Sequence, residues 1–124
     1  MTIRLNDDQP IFQQIAELIE ANIIDDSIKE GEQVPSTNEI AKHYQINPAT
    51  AAKGINLLVD EGVLYKRRGI GMFVSETAKS KIIKKKKNEF YHQFIQPMIL
   101  EAKRIEVTEE QITNWVKEGM KHED

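Results

Sequence analysis

The stretch PSTNEIAKHYQINPATAAKGINLLVDEG, residues 35–62, decides the fold of this chain. Ser36 and Glu39 have the S-x-x-E spacing of a capping box, in which each side chain binds the backbone N–H of the other residue where a helix begins. Asn47 and Pro48 mark a second helix start, because Asn is a strong N-cap and Pro fits the first helical position. Only three or four residues separate the two predicted helices, and so short a connection predicts a helix-turn-helix.

Elements on both sides complete the pattern. Upstream, Pro10 opens a helix that we expect to end near Asp26, with apolar residues at helical spacing: Ile11, Ile15, Leu18, Ile19 and Ile23. Downstream, Gly62 is placed to end the second helix of the motif, and residues 63–67 and 72–75 flank a glycine-containing turn as in a β-hairpin. This order predicts a mainly α fold with a small β-hairpin, a winged helix-turn-helix, over residues 1–76.

The charge distribution permits binding to nucleic acid. The chain has 124 residues and a net charge of −3, and its first 76 residues carry −5. Residues 42–68 nevertheless carry +3, because five lysines and arginines there face only two acidic residues. A local basic stripe on an acidic body can still meet phosphates, while the acidic remainder limits unspecific binding.

Residues 77–124 have a different character and predict a two-helix tail. Pro97 should kink or break the first helix near Gln96, and Thr108 and Gln111 form a capping box at the start of the second. The tail is too short to enclose a core of its own, so we expect a partner subunit and a homodimer. Its apolar stripes are more typical of a subunit interface than of a ligand site, and the predicted interface residues are Phe90, Phe94, Met98, Ile112, Trp115 and Val116.

Several stretches resemble the N-terminal domain of the GntR family of bacterial regulators. They are PIFQQI (10–15), GEQVPS (31–36), EIA (39–41), NLLVDEG (56–62) and GIGMFV (69–74), in the family's order and spacing. The tail, with FIQP at 94–97, is similar to that of the YtrA subfamily, whose tails serve dimerisation. The resemblance implies a DNA-binding transcriptional regulator, most simply a repressor that binds an inverted-repeat operator as a homodimer. Many family members carry arginines that align with Asn38, Pro48 and Ala52, so we expect DNA contacts to differ here.

The exposed face of the second motif helix is the predicted base-reading surface. Asn56 can bond an adenine edge and small apolar groups can contact thymine methyls, which favours a site containing A·T pairs. Ala49 and Ala52 are equally well explained as helix formers. The residues expected to contact DNA in the helix-turn-helix are Ser36, Thr37, Asn38, Asn47, Ala49, Thr50, Lys53 and Asn56.

Two basic segments receive opposite interpretations. We expect the hairpin tip to bring cations and closely approaching backbone to phosphates or to the minor groove. The less favoured alternative is a solvated turn with incidental charge. The predicted DNA contacts of the tip are Lys66, Arg67, Arg68, Gly69 and Gly71. The four lysines at 84–87 point around a helix, so a solvated segment is favoured over contact with flanking DNA.

The remaining features argue against other classes of protein. The chain has no cysteine, and its three histidines lack metal-ligand spacing, so we expect no catalytic centre, metal or cofactor. No apolar run approaches the ~20 residues that span a bilayer, and the N-terminus lacks the features of a signal peptide, which predicts a cytoplasmic protein. The alternative function is a winged-helix protein-interaction module without specific DNA binding. The sequence does not name an effector.

Overall fold

The computed structural model describes residues 5–122. The first four residues and the last two of the expected domains lie outside this range. Compact packing divides the chain into two units, residues 1–85 and residues 86–124. The elements in chain order are α1 (Ile11–Ile24), α2 (Thr37–Tyr44), α3 (Pro48–Asp60), β1 (Leu64–Arg67), β2 (Gly71–Val74), α4 (Ala78–Phe90), a π-helical turn (Tyr91–Ile95), α5 (Gln96–Arg104) and α6 (Glu109–Lys121).

The first unit is a winged helix-turn-helix built around one apolar core. Helix α1 contributes Ile15, Ile19 and Ile23, and α3 contributes Ile55 and Leu58, all at most 2% exposed. The predicted apolar spacing of α1 is therefore confirmed, although Pro10 is the N-cap of that helix and not its first residue. Burial of these side chains provides most of the stabilisation of such a small domain.

The hairpin is antiparallel, with Leu64 opposite Val74 and Arg67 opposite Gly71. The segment before α2 adds to it, because the Val34 N–H donates to the Met72 carbonyl and the Val74 N–H donates to the Glu32 carbonyl, each at 2.9 Å. These bonds attach the wing to the segment that leads into the helix-turn-helix.

The first unit extends nine residues beyond the boundary at residue 76 expected from the sequence. Ala78 and Ile82 of α4 are buried in its core, at 0% and 1% exposure. Lys79 forms an ion pair with Asp26 at 3.0 Å, and the Lys81 ammonium donates to the Gly62 carbonyl at 3.3 Å. The start of α4 thus belongs structurally to the winged helix.

The second unit contains the helical tail. Pro97 does not end the helix: the path continues through the π-helical turn into α5, and the Gln96 N–H donates to the Tyr91 carbonyl five residues back. Proline lacks an N–H and its ring crowds the carbonyl four residues earlier, and a wider turn relieves both problems. The capping box of Thr108 and Gln111 at the start of α6 is confirmed.

Candidate DNA-binding surface

The helix-turn-helix is formed by α2, a three-residue turn and α3. The Ser36 hydroxyl accepts from the Glu39 N–H at 3.1 Å, and the Glu39 carboxylate accepts from the Ser36 N–H at 2.9 Å. Hydrogen bonding from Ser36 to the Glu39 carboxylate, from its backbone N–H first and then from its side chain, holds the pKa of that carboxyl below its ordinary value. Gln45 ends α2 in the left-handed region with φ 55°, and the Asn47 side chain caps α3 by accepting from the Ala49 N–H at 2.8 Å. Both predicted helix starts are therefore confirmed.

The outer face of α3 is a continuous exposed surface. Ala49, Lys53 and Asn56 are exposed, while Thr50 and Ala52 are half-buried. The opposite face carries Ala51, Gly54, Ile55 and Leu58 into the core. The structure thus brings the predicted base-reading residues of α3 together on one side of the helix.

The other four residues of the helix-turn-helix predicted to contact DNA, Ser36, Thr37, Asn38 and Asn47, lie at the starts of α2 and α3 and not on the outer face of α3. The side-chain oxygens of Ser36 and Asn47 already accept backbone hydrogen bonds within the protein. Thr37 is half-buried in the first turn of α2, and Asn38 is exposed beside it. The two cap residues therefore have a structural role that the sequence also predicts.

A residue that the sequence reasoning missed joins the α3 face. Phe12, from the first turn of α1, lines a shallow depression with Ala49, Ala52, Lys53 and Asn56. The Lys53 ammonium lies 4.1 Å from the centroid of its ring. Phe12 lies outside the set of buried residues of α1. A large aromatic residue away from the buried side of the helix was the sequence signal that could have identified it.

The wing presents three cations around a tight turn. Lys66, Arg67 and Arg68 are exposed, and the Ile70 N–H donates to the Arg67 carbonyl at 2.9 Å to close the turn. Gly69 has φ +78° at the third turn position, a conformation that favours glycine. The Arg67 guanidinium lies 5.0 Å from the Phe73 ring centroid, which orients this side chain along the strand.

A side chain from outside the hairpin supports the wing tip. The Gln33 amide donates to the Ile70 carbonyl at 3.0 Å, across 37 residues of sequence. A Cβ at Gly71, where φ is +146°, would lie 2.5 Å from the Gln33 nitrogen, so the glycine permits this approach. Ile70 itself is 59% exposed at the tip. No sequence pattern pointed to Gln33, because its partner is distant along the chain.

The lysine run is not wholly solvated, which corrects the expectation for Lys85. The Lys85 ammonium lies 2.5 Å from the carboxylate of Glu20, whose side chain is 2% exposed, and 3.1 Å from that of Glu61. Burial alone would lower the pKa of Lys85, but the hydrogen bonds and attraction of the two carboxylates raise it overall. Lys85 therefore stabilises the first unit.

Four of the six predicted interface residues meet in one apolar depression of the second unit. Met98, Ile112, Trp115 and Val116 line it together with Ala102 and Val107. Phe90 and Phe94 lie outside it and contact each other, with ring centroids 5.5 Å apart. Trp115 is 60% exposed, and no described residue of α6 is buried.

Some classes of site are absent from residues 5–122. No group of three histidine and acidic side chains in that range could hold a metal ion. In the same range, no helix combines the length and apolar character needed to cross a membrane.

A capped helix-turn-helix with an exposed second helix and a cationic wing defines a winged-helix DNA-binding protein. Residues 11–74 match the family model described as bacterial regulatory proteins, gntR family. The chain belongs to the GntR family and is a DNA-binding transcriptional regulator, in a family that is not enzymatic.

Individual relatives support the same assignment over most of the chain. It is 31% identical to the HTH-type transcriptional repressor YtrA of Bacillus subtilis, over 88% of this chain and 83% of that protein. A GntR-family regulator from Bacteroides thetaiotaomicron superposes with a TM-score of 0.81 at 25% identity, over 92% of this chain and 99% of its own. A structure of the AraR DNA-binding domain with its operator ORX1 matches 60% of this chain and 92% of its own, at 29% identity and a TM-score of 0.53. The resemblance to YtrA-type GntR regulators is confirmed.

Proposed function

We propose that this regulator is a homodimeric repressor that reads an inverted-repeat operator in the bacterial cytoplasm. The observation that carries the proposal is the exposed α3 face, on which Ala49, Lys53 and Asn56 stand free of the core. Two such helices related by a two-fold axis would enter successive major grooves, with half-sites roughly 10 bp apart or a multiple of that. The name of its YtrA relative supports repression.

Different residues of α3 and the wing contact the bases and the DNA backbone. Asn56 reads an adenine edge, and Ala49 contacts a thymine methyl. Lys53 and the wing cations Lys66, Arg67 and Arg68 contact phosphates. The remaining expected contacts, which include Thr50, Gly69 and Gly71, bring backbone and small side chains close to the duplex. A protein-interaction module is disfavoured, because the family is one of DNA-binding regulators and a relative is seen on its operator.

The unpartnered tail supports dimerisation. Ten large apolar side chains of the second unit are at least 36% exposed, among them Phe90, Phe94, Leu100, Trp115 and Met120. Along α6, Ile112, Trp115, Val116 and Met120 recur at helical spacing on one face. A contiguous apolar surface of this kind is typical of a subunit interface.

The operator is identified by selecting genomic fragments that bind the full-length protein, followed by footprinting. Asn56→Ala should then cost ~1–3 kcal/mol on the selected site and leave scrambled duplexes nearly unaffected. Lys53→Met should weaken both equally, because a phosphate contact carries no sequence information. Equal losses for Asn56→Ala on both duplexes would contradict the assignment of the reading face.

Sedimentation of the full-length protein tests the assembly. We expect a dimer at micromolar concentration, and a monomer in a Trp115→Lys variant, because the charge would enter the apolar interface. Lys117→Ala, an exposed polar position of the same helix, is the matched control and should remain dimeric. A monomeric wild-type protein would contradict the proposal.

A further inference from the structure

The side chain of Phe12, in the first turn of α1, lies beside the exposed face of α3. It is half-buried beside Ala49, Ala52 and Asn56 of α3, whereas the core residues of α1, beginning with Ile15, point into the first unit. Leu57, which packs against the core, and Asp60 line the same depression, so the ring lies where the core meets the exposed face of α3.

A close backbone contact fixes the start of α1, which carries this ring, relative to α3. A Cβ at Gly54 would lie 2.7 Å from the Phe12 carbonyl oxygen and 3.1 Å from the Ile15 Cβ. The two helices therefore approach each other at a point where only glycine fits. Because the contact involves the main chain of residue 12, the start of α1 is held at a set distance from α3.

The ring in turn holds the Lys53 side chain. The ammonium lies 4.1 Å from the ring centroid, well within the ~6 Å at which a cation is attracted to an aromatic face. A lysine that is ordered before binding loses less rotamer freedom when it contacts DNA. An ammonium has three N–H donors, so those that point away from the ring remain available for DNA oxygens.

We propose that Phe12 is a positioning residue for DNA binding, which orients the Lys53 ammonium toward the DNA backbone through a cation–π contact. This inference rests on the proposed function, since it requires Lys53 to contact DNA. Its effect is preorganisation, so loss of the ring should weaken binding without removing the charge that contacts the phosphate.

The contact is first tested without DNA. The ε-methylene protons of Lys53 in the free protein should show an upfield ring-current shift in the NMR spectrum. That shift should persist in Phe12→Tyr and disappear in Phe12→Leu, which keeps an apolar side chain but removes the ring. Absence of the shift in the wild type would overturn the proposal.

DNA affinity is then measured by competition titration on the selected operator as a double-mutant cycle. We expect Phe12→Leu to lower affinity about two- to fivefold, the size of an exposed cation–π contact. Phe12→Tyr should bind as the wild type does. Lys53→Met should lower affinity and flatten the salt slope by about 0.9, and adding Phe12→Leu to it should change nothing further. Phe12→Leu alone should keep the wild-type salt slope.

Other outcomes separate this inference from the proposed function. An equal effect of Phe12→Leu with and without Lys53, no effect, or a gain in affinity would overturn the positioning role while operator binding stands. A wild-type protein that prefers no genomic fragment would instead remove the proposed function. Thermal unfolding of each variant accompanies the titrations, and if Phe12→Leu is unfolded, Phe12→Met takes its place in the cycle.

Discussion

Gly54→Ala tests whether the close approach of α1 and α3 determines the geometry of the DNA-binding surface. The new Cβ would lie 2.7 Å from the Phe12 carbonyl oxygen, so about 0.7 Å of movement is needed to reach an ordinary 3.4 Å contact. Ile15, one turn further along the same helix and 3.1 Å from the new Cβ, is fully buried and cannot yield easily. Overpacking typically costs about 1–3 kcal/mol, and the contact with a main-chain oxygen, which cannot rotate away, places this case at roughly 2–3 kcal/mol. Alanine recovers about 1 kcal/mol of helix propensity, which leaves a net loss of about 1–2 kcal/mol.

Thermal unfolding followed by circular dichroism measures the outcome, and we expect a fall in Tm of roughly 5–10 °C. Hydrogen exchange of α1 and α3 should accelerate, and operator affinity should fall as Phe12 moves from α3. Gly119→Ala is the matched control, because Gly119 also lies within a helix but no heavy atom of the described residues is within 4 Å of its added Cβ. Gly119 shares the apolar face of α6, so both glycine variants are compared in the monomeric Trp115→Lys background. Gly119→Ala should be neutral or slightly stabilising. If Gly54→Ala instead raised Tm as the control does, the close packing would be refuted, because helix propensity alone would then explain the change in Tm.

Three further perturbations test the wing and the ion pairs of Lys85 in α4. Replacing Arg67 and Arg68 with Ala should weaken binding to all duplexes and flatten the salt slope by up to about 2; an unchanged slope in titrations across salt would exclude phosphate contacts by the wing. Gln33→Ala removes the hydrogen bond to the wing tip, so amides 67–71 should exchange faster and operator affinity should fall with little change in Tm; unaltered exchange would show that the hairpin holds itself. Lys85→Met should lower the free energy of unfolding in urea by roughly 2–3 kcal/mol. This is less than the ~3–5 kcal/mol lost when a fully buried pair is broken, because the Lys85 side chain is 38% exposed. Adding Glu20→Gln to Lys85→Met should restore part of the lost stability.

Local signals in the sequence determined most of the fold. The capping box of Ser36 and Glu39 and the Asn47-Pro48 helix start depend on neighbouring residues, so they could be recognised along the chain. The apolar spacing of α1 and the glycine-containing turn of the wing are equally local. For the same reason, the exposed side of α3 could be predicted from helical periodicity once its first residue was known.

The tertiary structure decided which side chains meet across distant segments. Phe12 and Lys53, Gln33 and Ile70, and Glu20 and Lys85 are separated by tens of residues, and no local pattern links the members of a pair. The same limit explains why the boundary at residue 76 fell short of the compact unit. From the sequence, Ala78 and Ile82 were assigned to the helical tail, but in the structure they fill a core formed by elements far earlier in the chain. Helical periodicity gives the face on which a residue lies, whereas its partner depends on how the helices pack.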